Sequence, residues 1–164
     1  MEALTTVDLH VPAGREVVSV GEDQPVSHRV ALGLSNGQAL VFERTYRITY
    51  PNDVRTITPS IVYPFDETPL TIDPQGRPLE HMGISVNSGT LLIAGSVDSE
   101  LQVLSLSREE NMMTGEVEVS EDRLALPQIA EPIKELIIEP RQLWLFVING
   151  RATADVFDLR TKAL

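Results

Sequence analysis

The sequence predicts an all-β protein built from repeated antiparallel meanders, and three observations carry that expectation. Short apolar runs are separated by tight-turn signals along the chain, at Ser35-Asn36-Gly37, Asn87-Ser88-Gly89, Asp98-Ser99 and Asn149-Gly150. Asn, Asp and Gly suit such turns because they tolerate the positive φ that a tight hairpin needs. One plan, an apolar strand followed by a turn and a returning strand, then occurs three times. Its returning strands contain Ala39-Leu40-Val41-Phe42, Leu101-Gln102-Val103-Leu104 and Ala154-Asp155-Val156-Phe157. Finally, the one stretch with helical character, Arg108 to Gly115, is shorter than an isolated helix requires.

Taken in order, Leu4 to Val11 alternates, with Val7, Leu9 and Val11 on one face, and predicts a half-buried strand. Glu16 to Val20 is a short strand and Gly21 to Pro25 a polar loop. His28 to Leu34 alternates again, with Val30, Leu32 and Leu34 on one side. A long strand follows from Gln38, carrying Leu40, Phe42, Tyr46, Ile48 and Tyr50, and its length predicts a bend or bulge near Glu43 to Thr45. Pro51-Asn52-Asp53 turns the chain into Val54 to Tyr63, where Pro59 breaks the donor ladder and predicts an edge strand.

Pro64 to Pro78 is irregular, with a short strand at Leu70 to Ile72 and a turn at Asp73-Pro74-Gln75-Gly76, where Pro presets φ. Leu79 to Val86 is a strand, Thr90 to Ser96 is apolar enough to be buried on both faces, and Leu101 to Ser107 returns. Glu116 to Val119 is a further strand, and Leu124 to Pro132 a connection. Ile133 to Ile138, Leu143 to Ile148 and Thr153 to Leu159 form the last unit, with Val156 and Leu159 as the apolar members of its final strand.

The aligned valines 41, 103 and 156 are spaced more widely than the about 40–45 residues of a WD-type blade, so the units are blades with longer loops. Asp155-Val156-Phe157-Asp158-Leu159-Arg160-Thr161 resembles the end of a WD repeat with Phe in the usual place of Trp. The expectation is a single β-propeller-like domain over residues 1–164, a fragment of about three antiparallel blades. A β-sandwich is the alternative. A closed propeller needs about 4–8 blades. Bare sheet edges would therefore remain, implying a fragment of a larger propeller, association of copies, or sheets packed as an open stack.

With 164 residues, 42% of them hydrophobic and 23% charged, the chain has the composition of a globular protein with a true core. Its net charge of -11 argues against nucleic acid or anionic lipid as a partner. The absence of cysteine excludes disulfides, thiolate catalysis and cysteine-type zinc sites. No apolar run approaches the ~20 residues of a membrane helix, and the N-terminus lacks the pattern of a signal peptide.

Chemistry-bearing motifs are sparse. His10, His28 and His81 have no metal-ligand spacing. Glu22-Asp23, Glu109-Glu110 and Glu121-Asp122 are adjacent acids of the kind usually found solvated, and Ser27, His28 and Asp8 lack any nucleophile-elbow motif. No phosphate-binding glycine loop or calcium loop is present. The expectation is therefore no enzyme activity, no cofactor and no metal. One cluster stands out: Arg44, Arg47 and Arg55 gather in an otherwise acidic chain, and arginine's planar fork suits phosphate or carboxylate. They are the candidates for an anion or partner contact, set against ordinary pairing with Glu43, Asp53 and other acids.

Two runs, ITYPNDVRTITPSIVYPF from Ile48 to Phe65 and EENMMTGEVEV from Glu109 to Val119, resemble the WD-like extramembrane domain inserted in some bacterial permease subunits of phosphate ABC transporters. The resemblance covers most of the chain, including VFDLRTKAL at its end. It implies a parent protein in the inner membrane, with this domain outside the bilayer and facing the periplasm. It also implies protein partners, namely other transporter subunits or a phosphate-binding protein. The function expected is that of a non-catalytic interaction or regulatory domain, with anion sensing through the arginines as the alternative.

Overall fold

A computed structural model describes residues 9, 11–22, 28–65 and 68–160. These form twelve strands, all paired antiparallel, in three sheets that follow one another along the chain. The first sheet has β1 (Val17–Glu22), β2 (Arg29–Leu34), β3 (Gln38–Thr49) and β4 (Thr56–Val62) in that order, with β5 (Leu70–Thr71) added at the start of β3. The second has β6 (His81–Asn87), β7 (Thr90–Val97), β8 (Glu100–Glu110) and β9 (Val117–Leu126). The third has β10 (Ile133–Ile138), β11 (Trp144–Asn149) and β12 (Ala154–Asp158). The fold is thus all-β and meander-built.

Turn chemistry accounts for two of the hairpins directly. Ser88-Gly89 and Asp98-Ser99 have positive φ at both positions, 48° and 82° in the first and 46° and 67° in the second, which matches the twist of the flanking strands. The Asn149-Gly150 turn departs from the expected form, because neither residue has positive φ. Instead Ala152 does, at 58°. Ala152 N donates to Asn149 O (3.1 Å), and Asn149 N donates to Thr153 O (3.0 Å), giving a three-residue loop. The buried Asn149 side chain accepts from Arg151 N, Thr153 N and Thr153 Oγ1, so it organises the loop from within.

Other expectations need correction. Arg108 to Gly115 contains no helix: β8 continues to Glu110, and the backbone reverses at Asn111, whose carbonyl accepts from Gly115 N at 2.7 Å. The strand pairing is long enough to override a weak helical signal. The same pairing extends β9 to Leu126 and absorbs the start of the predicted connection. Of the bend or bulge expected near Glu43 to Thr45, the bulge is absent: the register is unbroken where β3 passes from pairing with β2 to pairing with β4 at Glu43. On β12 the inward residue is Phe157, fully buried, while Val156 is 42% exposed. A one-residue displacement swaps the faces of a strand, and both residues are apolar, so alternation alone does not choose between them. β2 is buried on both faces rather than one. Most of the strand predicted for Leu4 to Val11, and part of the Gly21 to Pro25 loop, lie outside the described residues, although Gly21 and Glu22 belong to β1.

The sheets stack in chain order. One core lies between the first and second, with Ala31, Val41, Met82, Ile84, Ile93 and Leu104 among its members. Another lies between the second and third, including Ala94, Val103, Leu136, Leu145, Val147 and Phe157. Full burial of side chains such as Leu145 and Phe157 contributes about 1.5–3 kcal/mol each. The first strands of the sheets meet, β6 touching both β1 and β10. Two glycines permit this. A β-carbon on Gly21 would lie 2.9 Å from Met82 O, and one on Gly83 would lie 3.0 Å from Leu136 O. Small rows therefore face the next sheet: Gly21–Ala31–Val41 across the first, and Gly83–Ala94–Val103 across the second. The valines aligned in the sequence occupy equivalent places in the sheets.

The loop after β5 locks the first two sheets together. Asp73, 1% exposed, accepts from Arg77 N and from the Arg77 guanidinium, and the same guanidinium reaches Glu100 Oε2 at 2.8 Å. Arg123 of β9 donates to the carbonyls of Thr71 and Ile72.

Candidate docking surfaces

Past Glu43, β3 leaves β2 behind and pairs only with β4, so the two strands project as a ribbon. Pairing puts Tyr46 opposite Pro59 and Ile48 opposite Ile57 on one face, and Thr45 opposite Ser60, Arg47 opposite Thr58 and Thr49 opposite Thr56 on the other. The first face is apolar and open: Tyr46 is 64% exposed, Tyr50 65% and Ile57 53%. It continues the outer face of the first sheet, where Leu40 and Phe42 are buried with Leu9, Val11, Ile61 and Tyr63 packed around them. The second face is polar and held by the contact of Thr45 Oγ1 with Ser60 Oγ at 2.7 Å. At the tip, Pro51–Asp53 forms a 3-10 turn with Asn52 and Asp53 both at positive φ.

The same ladder separates the three arginines. Arg44 sits at the root of the ribbon on the apolar face, 3.5 Å from Glu22 Oε1. Arg47 projects from the opposite, polar face, because an odd spacing along a strand reverses the side-chain direction. Arg55 is exposed beyond the last ladder pair, near the tip. Glu43 pairs with Arg29 at 3.2 Å. The three arginines thus lie along the ribbon and on both of its faces, not in one basin.

A second ribbon arises the same way from β8 and β9. Arg108 opposite Val119 and Glu110 opposite Val117 form one face, and Glu109 opposite Glu118 the other. Its tip carries Met112 and Met113, 98% and 96% exposed. Between the roots of the ribbons is a cleft of 630 Å³ lined by Tyr63, Phe65, Leu70, Leu106 and Val119. Arg108 Nη1 spans it to donate to Pro64 O at 3.4 Å.

Among the described residues no group of three or more His, Asp or Glu side chains could hold a metal ion. His81 Nδ1 is hydrogen-bonded to Ser96 Oγ, and His28 is exposed at the start of β2. His10, Asp8, Asp23 and Ser27 lie outside the described residues. Of the acidic pairs, Glu109-Glu110 lies on the second ribbon, Glu121-Asp122 is on β9 with Glu121 held by Arg123 at 2.6 Å, and Glu22 faces Arg44. No helix of the described residues is long and apolar enough to cross a membrane.

Sequence alternation groups Tyr46, Ile48 and Tyr50 on one side of a strand. It misses that this side is open, because openness depends on where β2 stops. The fold and these surfaces define an antiparallel β-meander stack bearing two projecting ribbons. Compared with family models, curated proteins and solved structures, the chain matches none.

Proposed function

We propose that the chain is a non-catalytic interaction module that docks a protein partner through the β3–β4 ribbon. The observation that carries this reading is the exposed face formed by Tyr46, Ile48, Tyr50 and Ile57 on a ribbon whose reverse side is polar. Contiguous exposed apolar surface with a polar rim suits protein contact, and tyrosines supply large contact area at low entropic cost. Rigid sheets presenting projecting hairpins suit docking.

The sequence resemblance gives the setting for this reading. The domain is a WD-repeat-like propeller fragment of a phosphate ABC transporter permease, the parent lies in the bacterial inner membrane, and the domain faces the periplasm. Its partners are other transporter subunits or a phosphate-binding protein. Three successive meanders meeting through their first strands support the propeller part of the reading. The two resembling runs fall on the two ribbons, which makes the ribbons the natural partner contacts.

Titration of the chain with a phosphate-binding protein and with the permease partner subunit, read by calorimetry, tests the proposal. Binding that weakens at least tenfold in the Tyr46→Ala, Tyr50→Ala double variant is expected. Binding unchanged by that variant would remove the ribbon from the account. Anion sensing by Arg44, Arg47 and Arg55 is less well supported, since the ladder divides them between two faces.

A further inference from the structure

The three sheets begin alike and end differently. β4 flanks β3 on the edge away from β2, and β9 flanks β8 on the edge away from β7. β12 holds the same place in the third sheet, yet among the described residues no strand flanks it on the edge away from β11. The donors and acceptors of that edge follow from the ladder. Thr153 O accepts from Asn149 N, and Leu159 N donates to Leu143 O, so the odd-numbered residues bond to β11. The N–H and C=O groups of Ala154, Val156 and Asp158 therefore point outward. The second sheet overhangs this edge. Val103 of β8 shares a core with Phe157 of β12, and Leu124, paired with Val103, carries the same face one strand further out. Beside Leu124 a groove of 230 Å³ runs between the two sheets, lined also by Leu92, Val103, Asp122, Gln142 and Leu159.

We infer that the outward edge of β12 takes one extended segment of a partner protein as a fourth strand, and that this segment carries a basic residue opposite Asp155. Backbone pairing supplies affinity in such a contact, and alternate side chains supply specificity. The overhang excludes a second β12 as the occupant. Antiparallel pairing of two β12 edges would carry β8 of the second copy, which lies over its own β12, into the place that β9 fills. A strand with no sheet above it is what fits beneath β9. Charge then specifies the strand. Asp155 lies on the inward face of β12, the face of Phe157. It is half-buried, and among the described residues its carboxylate has no hydrogen bond or ion pair. An inward-pointing charge on an edge strand bars apolar strands from pairing there. Asp122 faces the same groove from β9. A lysine or arginine opposite Asp155 answers both carboxylates, and an apolar residue next to it, opposite Phe157, completes the lining made by Leu124 and Leu159. This surface is separate from the β3–β4 ribbon.

Amide hydrogen exchange of the whole chain, read by NMR, tests this with two synthetic peptides. Each alternates threonine and valine over seven residues, with the central valine replaced by lysine in one and by glutamate in the other. In the chain alone the amides of Ala154, Val156 and Asp158 are expected to exchange fast, while that of Phe157 is protected. The lysine peptide is expected to slow the three outward amides at least tenfold, and the glutamate peptide to bind at least tenfold more weakly. Asp155→Lys should reverse that preference. Val156→Pro removes one outward donor and leaves the ladder to β11 intact. It should abolish binding while Phe157 stays protected. Protection of the three outward amides in the chain alone overturns the inference, since the edge is then filled by the chain itself, or by a second copy if the protection grows with concentration. So does the absence of binding at millimolar peptide, equal binding of the two peptides, or binding that survives Val156→Pro.

Discussion

Gly83 turns its α-carbon onto the backbone of Leu136, so closely that a β-carbon there would stand 3.0 Å from the Leu136 carbonyl oxygen. Gly21 does the same to Met82 at 2.9 Å. The obstructing atoms are backbone and cannot swing aside, so an added methyl forces the sheets apart. Gly83→Ala and Gly21→Ala should each lower stability by about 1–3 kcal/mol. Urea unfolding should show a lower midpoint with an unchanged slope.

Ala152 occupies the left-handed region at φ 58° in the loop between β11 and β12, and its side chain is exposed. A left-handed conformation costs an L-residue with a β-carbon roughly 1–2 kcal/mol, and glycine gives back part of that as unfolded-state entropy. Ala152→Gly should therefore stabilise the chain, by about 0.5–1 kcal/mol. The change should appear as a higher midpoint in the same unfolding experiment.

The Asp73 carboxyl gives the chain an acid-sensitive joint. Burial by itself pushes its pKa up, but hydrogen bonds from the Arg77 side chain and backbone, the Arg77 charge and the Gln75 backbone together hold it below the usual aspartate range. The folded chain thus binds that proton less readily than the unfolded chain. The resulting stability is fully present above the unfolded aspartate pKa of about 3.9 and is lost as pH falls through the folded value. Asp73→Asn should cost about 1–3 kcal/mol at neutral pH and flatten the acid limb of stability against pH. An unaltered acid limb in that variant would assign the slope to other carboxylates.

Truncation on the β3–β4 ribbon should separate binding from folding. Tyr46 and Tyr50 are 64% and 65% exposed, so Tyr46→Ala and Tyr50→Ala should each change stability by no more than about 0.5 kcal/mol. Partner affinity should fall in the same variants. Circular dichroism melts beside binding isotherms make the distinction.

Phosphate titrated into the chain should release no heat at millimolar concentration, because Arg44 is drawn to Glu22 and Arg47 points from the other face. Saturable heat lost in Arg47→Ala would restore the anion-sensing alternative.

Much of the architecture was legible because it rests on local rules. The turns at Ser88-Gly89 and Asp98-Ser99 follow from residues that tolerate positive φ, and the two-sided burial of β7 follows from an unbroken apolar run. Pro59 marked β4 as an edge strand. The same rules failed where neighbours decide. Val156 and Phe157 are both apolar, and only the pairing of Leu145 with Phe157 shows which of them enters the core. Arg108 to Gly115 has the composition of a helical turn until β9 offers it a strand partner. The arginines are close in sequence, yet a strand reverses direction at every residue and parts Arg44 from Arg47.

By itself, then, the sequence determined an acidic, cysteine-free, antiparallel chain with three meanders and most of its turns, since composition and φ preference are properties of single residues and their nearest neighbours. The tertiary structure alone decided which surfaces stay open. β2 ends short of the β3–β4 ribbon, and no described strand flanks β12 as β4 and β9 flank β3 and β8, and both facts acquire meaning only when residues distant in the chain are brought side by side.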